Sequence, residues 1–320
     1  MRKLSIFIVC FFCAFAAEAQ FDAQFSQYWD VENYYNPAKA GTERNKLNLT
    51  ALHRMQWLGM PGAPKTTFIT GDAGIDYFGG SHGLGASFFN EKIGLFSASV
   101  ISVQYAYKAR ISNGILSLGL EGGMFDLSFD GTKLHTPGEG EFKNDYHTPP
   151  TAEDIPQTEV KGSRFNVNFG VRYSTKHYYV GLSSTKLLEP VFDFNESGST
   201  YIGRVYYLSA GGNIELSNPL YHFRPSFLVK TDLLTTKIDL TARILYNEMF
   251  WGGLTYRWKE DLIFSFGVFL KNIKVGYAYD YSLSNIMKVS SGCHEITATY
   301  TTDFNFQKDN RHRYKSIRVL

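Results

Sequence analysis

Arg164-Phe165-Asn166-Val167-Asn168-Phe169-Gly170-Val171-Arg172-Tyr173 decides the fold. Successive side chains of an extended chain point to opposite sides. Phe165, Val167, Phe169, Val171 and Tyr173 therefore share one face, and Arg164, Asn166, Asn168, Gly170 and Arg172 share the other. One face is apolar and the other is wet. A period of two excludes an amphipathic helix, whose apolar residues recur near every 3.6 positions.

The same alternation extends along the chain. Ile273, Val275, Tyr277, Tyr279 and Tyr281 oppose Lys274, Gly276, Ala278 and Asp280; Ile238, Leu240, Ala242, Ile244 and Tyr246 oppose Asp239, Thr241 and Arg243. A soluble sandwich also alternates, but its buried faces exclude repeated charges. Here the polar face of strand after strand carries Arg, Lys, Asp or Glu, and aromatics sit near the ends of the apolar face. That is the pattern of a polar lumen inside a lipid boundary. Closing the sheet also leaves no unpaired backbone edge in lipid.

Ending each run at Gly, Pro, Asn and Asp clusters predicts fourteen strands, at 45–56, 66–76, 83–90, 97–109, 114–125, 163–174, 177–186, 202–214, 220–231, 236–247, 250–258, 261–270, 272–282 and 293–304. The expected fold is all-β: a transmembrane antiparallel β-barrel over residues 45–304. Turns near Gly79-Gly80, Ser112-Asn113, Thr175-Lys176, Asn218-Pro219, Asn247-Glu248 and Lys271-Asn272 are short. Links at 57–65, 126–162, 187–201 and 283–292 are longer, although those near Thr235 and Lys259-Glu260 are short on the same side. Barrels usually keep short turns in the periplasm and longer loops outside. Both termini are thus expected in the periplasm of an outer-membrane protein.

The N-terminus fits export. Arg2 and Lys3 precede an apolar segment at 4–16, and Ala17-Glu18-Ala19 forms an A-x-A cleavage site, so residues 1–19 are expected to leave as a signal peptide, with Gln20 first in the mature chain. Cys10 and Cys13 would leave with it, so Cys293 has no intramolecular disulfide partner. Composition agrees with a barrel. Aromatics reach 16%, with 21 Tyr and 26 Phe, yet the mean hydropathy is only −0.20, as when lipid-facing and lumen-facing residues alternate. A formal net charge of +2 supplies no basic field for nucleic acid, and no nucleic-acid-binding motif is present. No HExxH spacing or nucleophile elbow occurs. We expect no cofactor, no metal and no catalysis.

Four short stretches follow in order near the start: Gln24-Phe25-Ser26-Gln27-Tyr28, Tyr35-Asn36-Pro37-Ala38 with Ala40-Gly41, Leu52-His53-Arg54-Met55-Gln56-Trp57, and Gly62-Ala63-Pro64-Lys65-Thr66. Gly83-Leu84-Gly85, Glu91-Lys92-Ile93-Gly94, Tyr105-Ala106-Tyr107-Lys108, Leu116-Ser117-Leu118-Gly119-Leu120 and Gly292-Cys293-His294-Glu295-Ile296 continue the series. Together they resemble the PorP/SprF family of type IX secretion membrane proteins. The resemblance implies a non-enzymatic outer-membrane component that supports export or surface anchoring of cargo, including adhesins of gliding Bacteroidetes. Its implied partners are type IX secretion subunits, secreted cargo and outer-membrane lipid. The alternative is a passive or substrate-specific porin.

Residues 20–44 form an aromatic lead, in which Phe25, Tyr28, Trp29, Tyr35, Asn36 and Pro37 are candidates to plug or brace the barrel. In the first link, Gly62 permits positive φ and Pro64 restricts Ala63, so Gly62, Ala63, Pro64 and Lys65 form either a rigid recognition loop or a stiff turn. The long link at 126–162 holds His135, Glu139, Glu141, Asp145 and His147 without metal-ligand spacing, which suits a solvated surface loop. Glu121, Arg164, Arg172, Arg224, Asp239, Arg243 and Asp280 fall on lumen faces, where they either pair or line a path. Residues 305–320 form a basic tail whose Arg311, Arg313, Lys315 and Arg318 either dock an acidic periplasmic partner or belong to a solvated extension.

Overall fold

A computed structural model of the chain describes residues 22–77, 80–133, 158–193 and 199–304. Among the described residues seventeen strands run in chain order. The first seven are β1 (Lys46–Met55), β2 (Lys65–Tyr77), β3 (Gly80–Ile93), β4 (Phe96–Ile111), β5 (Gly114–Asp130), β6 (Glu159–Ser174) and β7 (Tyr178–Thr185). Next come β8 (Val191–Asp193), β9 (Ser199–Tyr201), β10 (Val205–Gly212) and β11 (Ile214–Glu215). The last six are β12 (Tyr221–Thr231), β13 (Thr236–Tyr246), β14 (Phe250–Arg257), β15 (Asp261–Leu270), β16 (Ile273–Ser282) and β17 (Cys293–Asp303). The main sheet has fifteen strands and excludes the β8–β9 hairpin; β11 is only a two-residue extension against β12. The remaining fourteen pair antiparallel and close on themselves where β1 meets β17 and β10 meets β12.

Alternation sets the faces. Ile101, Val103, Leu120, Phe165, Leu182 and Phe266 are exposed on the outer surface. Ser102, Gln104, Glu121, Asn166, Asn168 and Arg172, on the opposite parity, are buried inside. Transmembrane strands need roughly 9–11 residues. β4, β5 and β6 are 16, 17 and 16 residues long, whereas β7 and β10 have 8 each. The barrel rim is therefore uneven.

The extra height lies at the long-link end. β6 pairs with β7 only over 169–174, while its pairing with β5 continues to Asp130 opposite Glu159. The link expected at 126–162 is thus shorter at both ends, because β5 and β6 go on pairing above the membrane-length ladder. The link expected at 187–201 contains β8 and β9, and Phe192 on β8 packs against Phe125 with ring centroids 5.6 Å apart. His135, Glu139, Glu141, Asp145 and His147 lie outside the described residues.

The lead runs inside the barrel. Asp22 lies at the long-link end, where Lys186 follows β7 and Gln24 Nε2 donates to Glu260 Oε2 at 3.3 Å in the link after β14. The chain leaves at the other end, where Arg44 pairs with Asp76 and Asn45 enters β1. Phe304 is also at that end, with its amide on the Asn45 carbonyl at 2.8 Å. The two described chain ends therefore lie at opposite mouths. The lead between them passes through the lumen.

Candidate functional site

The lumen carries the charge, and the lead organises it. Phe25, Tyr28, Trp29, Tyr35, Asn36 and Pro37 are all buried inside the barrel. Tyr28 donates its hydroxyl to Thr241 at 2.9 Å, and Tyr35 stacks on Tyr207 with centroids 5.2 Å apart. Asn36 Oδ1 accepts from the Ala38 amide at 3.0 Å, which fixes the turn into Pro37. Glycines make room for the lead. A Cβ on Gly119 would strike the backbone of Pro37 and Ala38, and one on Gly83 would strike the Ala40 carbonyl.

Three acids of the lead meet three cations of the wall. Asp22 pairs with Lys186 at 2.9 Å, Glu32 with Arg172 at 2.8 Å, and Asp30 with Lys274. Asp22 also accepts from Tyr34 at 2.8 Å and from Tyr207. Burial alone would push its carboxyl up, but Lys186 and Lys230 hold it below the ordinary value.

A second network joins the lead to the seam of β1, β16 and β17. Arg54 meets Asp280 at 2.7 Å and Glu295 at 3.5 Å. Glu295 accepts the Ser26 and Gln27 amides at 2.8 and 2.7 Å, and Ser26 donates its hydroxyl to Asp280 at 2.6 Å. Arg257 completes it, meeting Asp239 and Asp261 at 3.0 Å each, Asp280 at 3.4 Å, and the Phe25 carbonyl at 3.2 Å. Buried charges persist only when paired and hydrogen-bonded. This cluster meets that condition across six strands and the lead.

The expected lumen charges fall into three groups. Arg172, Asp239 and Asp280 belong to these ion pairs. Glu121 is buried and accepts from Gln104 and Asn168 at 2.7 and 3.0 Å, while Arg224 donates to Asn213 at 2.9 Å and Arg243 lies over Trp29 at 4.0 Å. Arg164 is a correction. It is exposed on the raised part of β6, donating to the Val191 carbonyl at 2.8 Å, because β6 outruns the lumen there. The sequence reading did not single out Arg257, Glu295, Lys186 or Lys274. The parity of Arg257 with Thr255, and of Glu295 with Thr297, was the available signal.

Gly62, with φ +73, and Lys65 are exposed at the long-link end, whereas Pro64 is buried. The loop is braced, since the Gly94 amide donates to the Gly62 carbonyl at 2.8 Å and Leu58 exchanges two backbone bonds with the link at 291–292. Arg311, Arg313, Lys315 and Arg318 lie outside the described residues.

The two mouths differ. At the long-link end a cavity of about 340 Å³ lies between the lead and the tall wall, lined by Tyr34, Phe89, Phe96, Phe125, Glu91 and Glu121 among others. At the short-turn end a cleft of about 490 Å³ is lined by Arg110, Arg172, Arg224, Arg243, Lys176 and His177. Among the described residues no group of three or more His, Cys, Asp or Glu is placed to hold a metal. Cys293 is buried, its sulfur 3.4 Å from the Trp57 amide.

The profile of the type IX secretion system membrane protein PorP/SprF family matches residues 17–300. The chain belongs to this family. The PorP/SprF match spans the lead and nearly the whole barrel, and makes the chain a membrane protein of the type IX secretion system. No curated protein matches the chain in sequence. Among solved structures it is similar to the CymD monoaromatic hydrocarbon channel, at 10% identity and TM-score 0.47, over 90% of this chain and 95% of that one. It is also similar to a Pseudomonas aeruginosa FadL homologue, at 10% identity and TM-score 0.44, over 81% and 89%. BamA from Haemophilus ducreyi gives 7% identity and TM-score 0.42, over 81% and 71%.

Proposed function

We propose that the chain is a plugged, non-conducting adaptor of the type IX secretion system. In this reading the long-link face supports export or surface anchoring of cargo, and the short-turn face contacts periplasmic machinery. The observation that carries it is the lead itself, tied to the wall by ion pairs near both mouths through Asp22, Asp30 and Glu32. A passive porin keeps a water-filled lumen, whereas here the lumen is crossed by Phe25, Tyr28, Trp29 and Tyr35. No step of this role needs a catalytic group.

The faces suit different partners. Gly62, Ala63, Pro64 and Lys65 form a braced outer edge suited to cargo contact. The basic cleft at the short-turn mouth suits an acidic periplasmic partner, and the sequence beyond Phe304, itself at that mouth, carries Arg311, Arg313, Lys315 and Arg318. Reversing the charge of those four residues should leave heat-modifiable gel migration intact and weaken co-purification of a periplasmic partner, more at low salt than at high. An unchanged partner set by mass spectrometry would move the contact away from the tail.

A further inference from the structure

The barrel wall has a break where β10 meets β12. Their pairing runs to Gly211 opposite Ser226 and resumes only where β11 places Ile214 opposite Phe223. Pro225, within the gap, has no amide hydrogen to give, and the Asn213 amide is turned away to the His177 carbonyl at 2.7 Å. Gly211 and Gly212 add no side chain to cover the break. Two cavities meet there. On the outer face, beside the exposed Val180, Leu240 and Leu254, lies an apolar groove of about 700 Å³ walled also by Phe223, Phe227 and Tyr256. On the inner side lies the basic cleft of the short-turn mouth, and Tyr178, Tyr179, Gly211 and Gly212 line both.

The cleft is lined by Arg110, Arg172, Lys176, Arg224 and Arg243, with no carboxylate among its lining residues. Glu32 takes Arg172. Asp30, held by Lys274, acts also on Arg224 and Arg243, and Glu248 acts on Arg224. Lys274, Arg224 and Arg243 thus outnumber the two acids that reach them. Arg224 and Arg243 also stand directly opposite each other across β12 and β13, an arrangement that like charges disfavour, and Arg243 Nε is buried without a hydrogen-bond partner. The complement is an anion joined to an apolar chain. We propose that this junction binds an anionic glycerophospholipid: one acyl chain lies in the outer groove, and the phosphate passes Gly211 and Gly212 to reach Arg224 and Arg243. Bulk lipid tails are as apolar as the groove, so the chain supplies fit. The guanidiniums supply selection, because arginine meets phosphate through two parallel hydrogen bonds. With the short turns in the periplasm the lipid belongs to the periplasmic leaflet, but the site needs only a barrel in a bilayer and does not rest on the secretory role.

Native mass spectrometry of the purified, folded protein in micelles tests this. The delipidated protein is offered phosphatidylglycerol, phosphatidylcholine or diacylglycerol with identical chains. The expected result is one phosphatidylglycerol retained at a detergent excess that strips the other two, with a several-fold difference in bound fraction. Arg224→Gln removes a cation from the headgroup site. Gly212→Leu fills the junction from a position where an added Cβ meets only ordinary contacts, the His177 carbonyl at 3.6 Å and Pro225 Cγ at 3.7 Å. Each variant should lower bound phosphatidylglycerol several-fold while heat-modifiable migration stays normal, and Lys65→Gln, exposed at the opposite mouth, should leave it unchanged. Equal retention of the three lipids, undiminished phosphatidylglycerol in either junction variant, an equal loss in Lys65→Gln, or displacement of phosphatidylglycerol by lipid A at equal concentration would each overturn the proposal.

Discussion

The two mouths of the barrel have different linings. Asp22, Asp30 and Glu32 of the lead neutralise Lys186, Lys274 and Arg172 of the wall. Arg110, Arg224 and Arg243 are then left at the short-turn end with no ion-pair partner among the described residues, whereas at the long-link end Glu91 and Glu121 share the mouth with Lys230. The long-link mouth is largely apolar and raised by β4, β5 and β6, while the short-turn mouth is polar. The lead therefore does two things: it fills the lumen, and it separates an aromatic cavity from a basic cleft.

The largest way to break this contrast is to remove the hub that seats the lead. Arg257→Ala leaves Asp239 and Asp261 without their cation, and Asp280 with Arg54 alone, in a buried site. Stranding buried charges in this way costs roughly 3–5 kcal/mol. We expect the heat-modifiable folded band to be lost or its midpoint to fall sharply, with Arg257→Lys recovering only part. A variant as stable as the parent would contradict the hub.

A smaller change should dislodge the lead and spare the wall. Gly119→Val places side-chain carbon in the Pro37 and Ala38 backbone, an overpacking that costs about 1–3 kcal/mol. Protease cleavage within residues 22–44 should accelerate while the strands stay protected. Smaller again is the rim effect: Arg110→Glu with Lys176→Glu should weaken capture of an acidic periplasmic partner by about tenfold at low salt. Glu91→Gln, at the opposite mouth, should leave capture unchanged. If both variants weaken it equally, the mouths are not distinct.

The smallest effect is that of acid. The Asp22 carboxyl is held below its ordinary value, so its contribution is complete above roughly pH 4 and is lost as pH falls through the depressed folded value. Hydrogen exchange around residues 22–24 should rise in that acid range ahead of exchange in the strands. Asp22→Asn should remove the pH dependence.

Barrel architecture was legible because its signal is local. All fourteen barrel strands follow from alternation, since a lipid-facing side chain and a lumen-facing one must alternate wherever the wall separates the two. Where the sequence reading fell short, the cause was non-local. β5 and β6 extend beyond the alternating core because they pair with each other above the rim, and Arg164 rises with them. Aromatic density and Asn36-Pro37 drew attention to the lead, but its path from Asp22 at one mouth to Asn45 at the other depends on wall partners such as Lys186 and Arg172, more than 100 residues away. Arg257 reads as an ordinary strand-end cation until β13, β15 and β16 bring three carboxylates to it.

The central claim is that residues 22–44 close the lumen. Single-channel conductance in planar bilayers tests it most directly, comparing the mature protein with a form lacking residues 21–44 that still shows heat-modifiable migration. The account predicts a nearly silent mature protein and an open, conducting truncation. Equal, steady conductance from both would contradict it and return the chain to the porin reading.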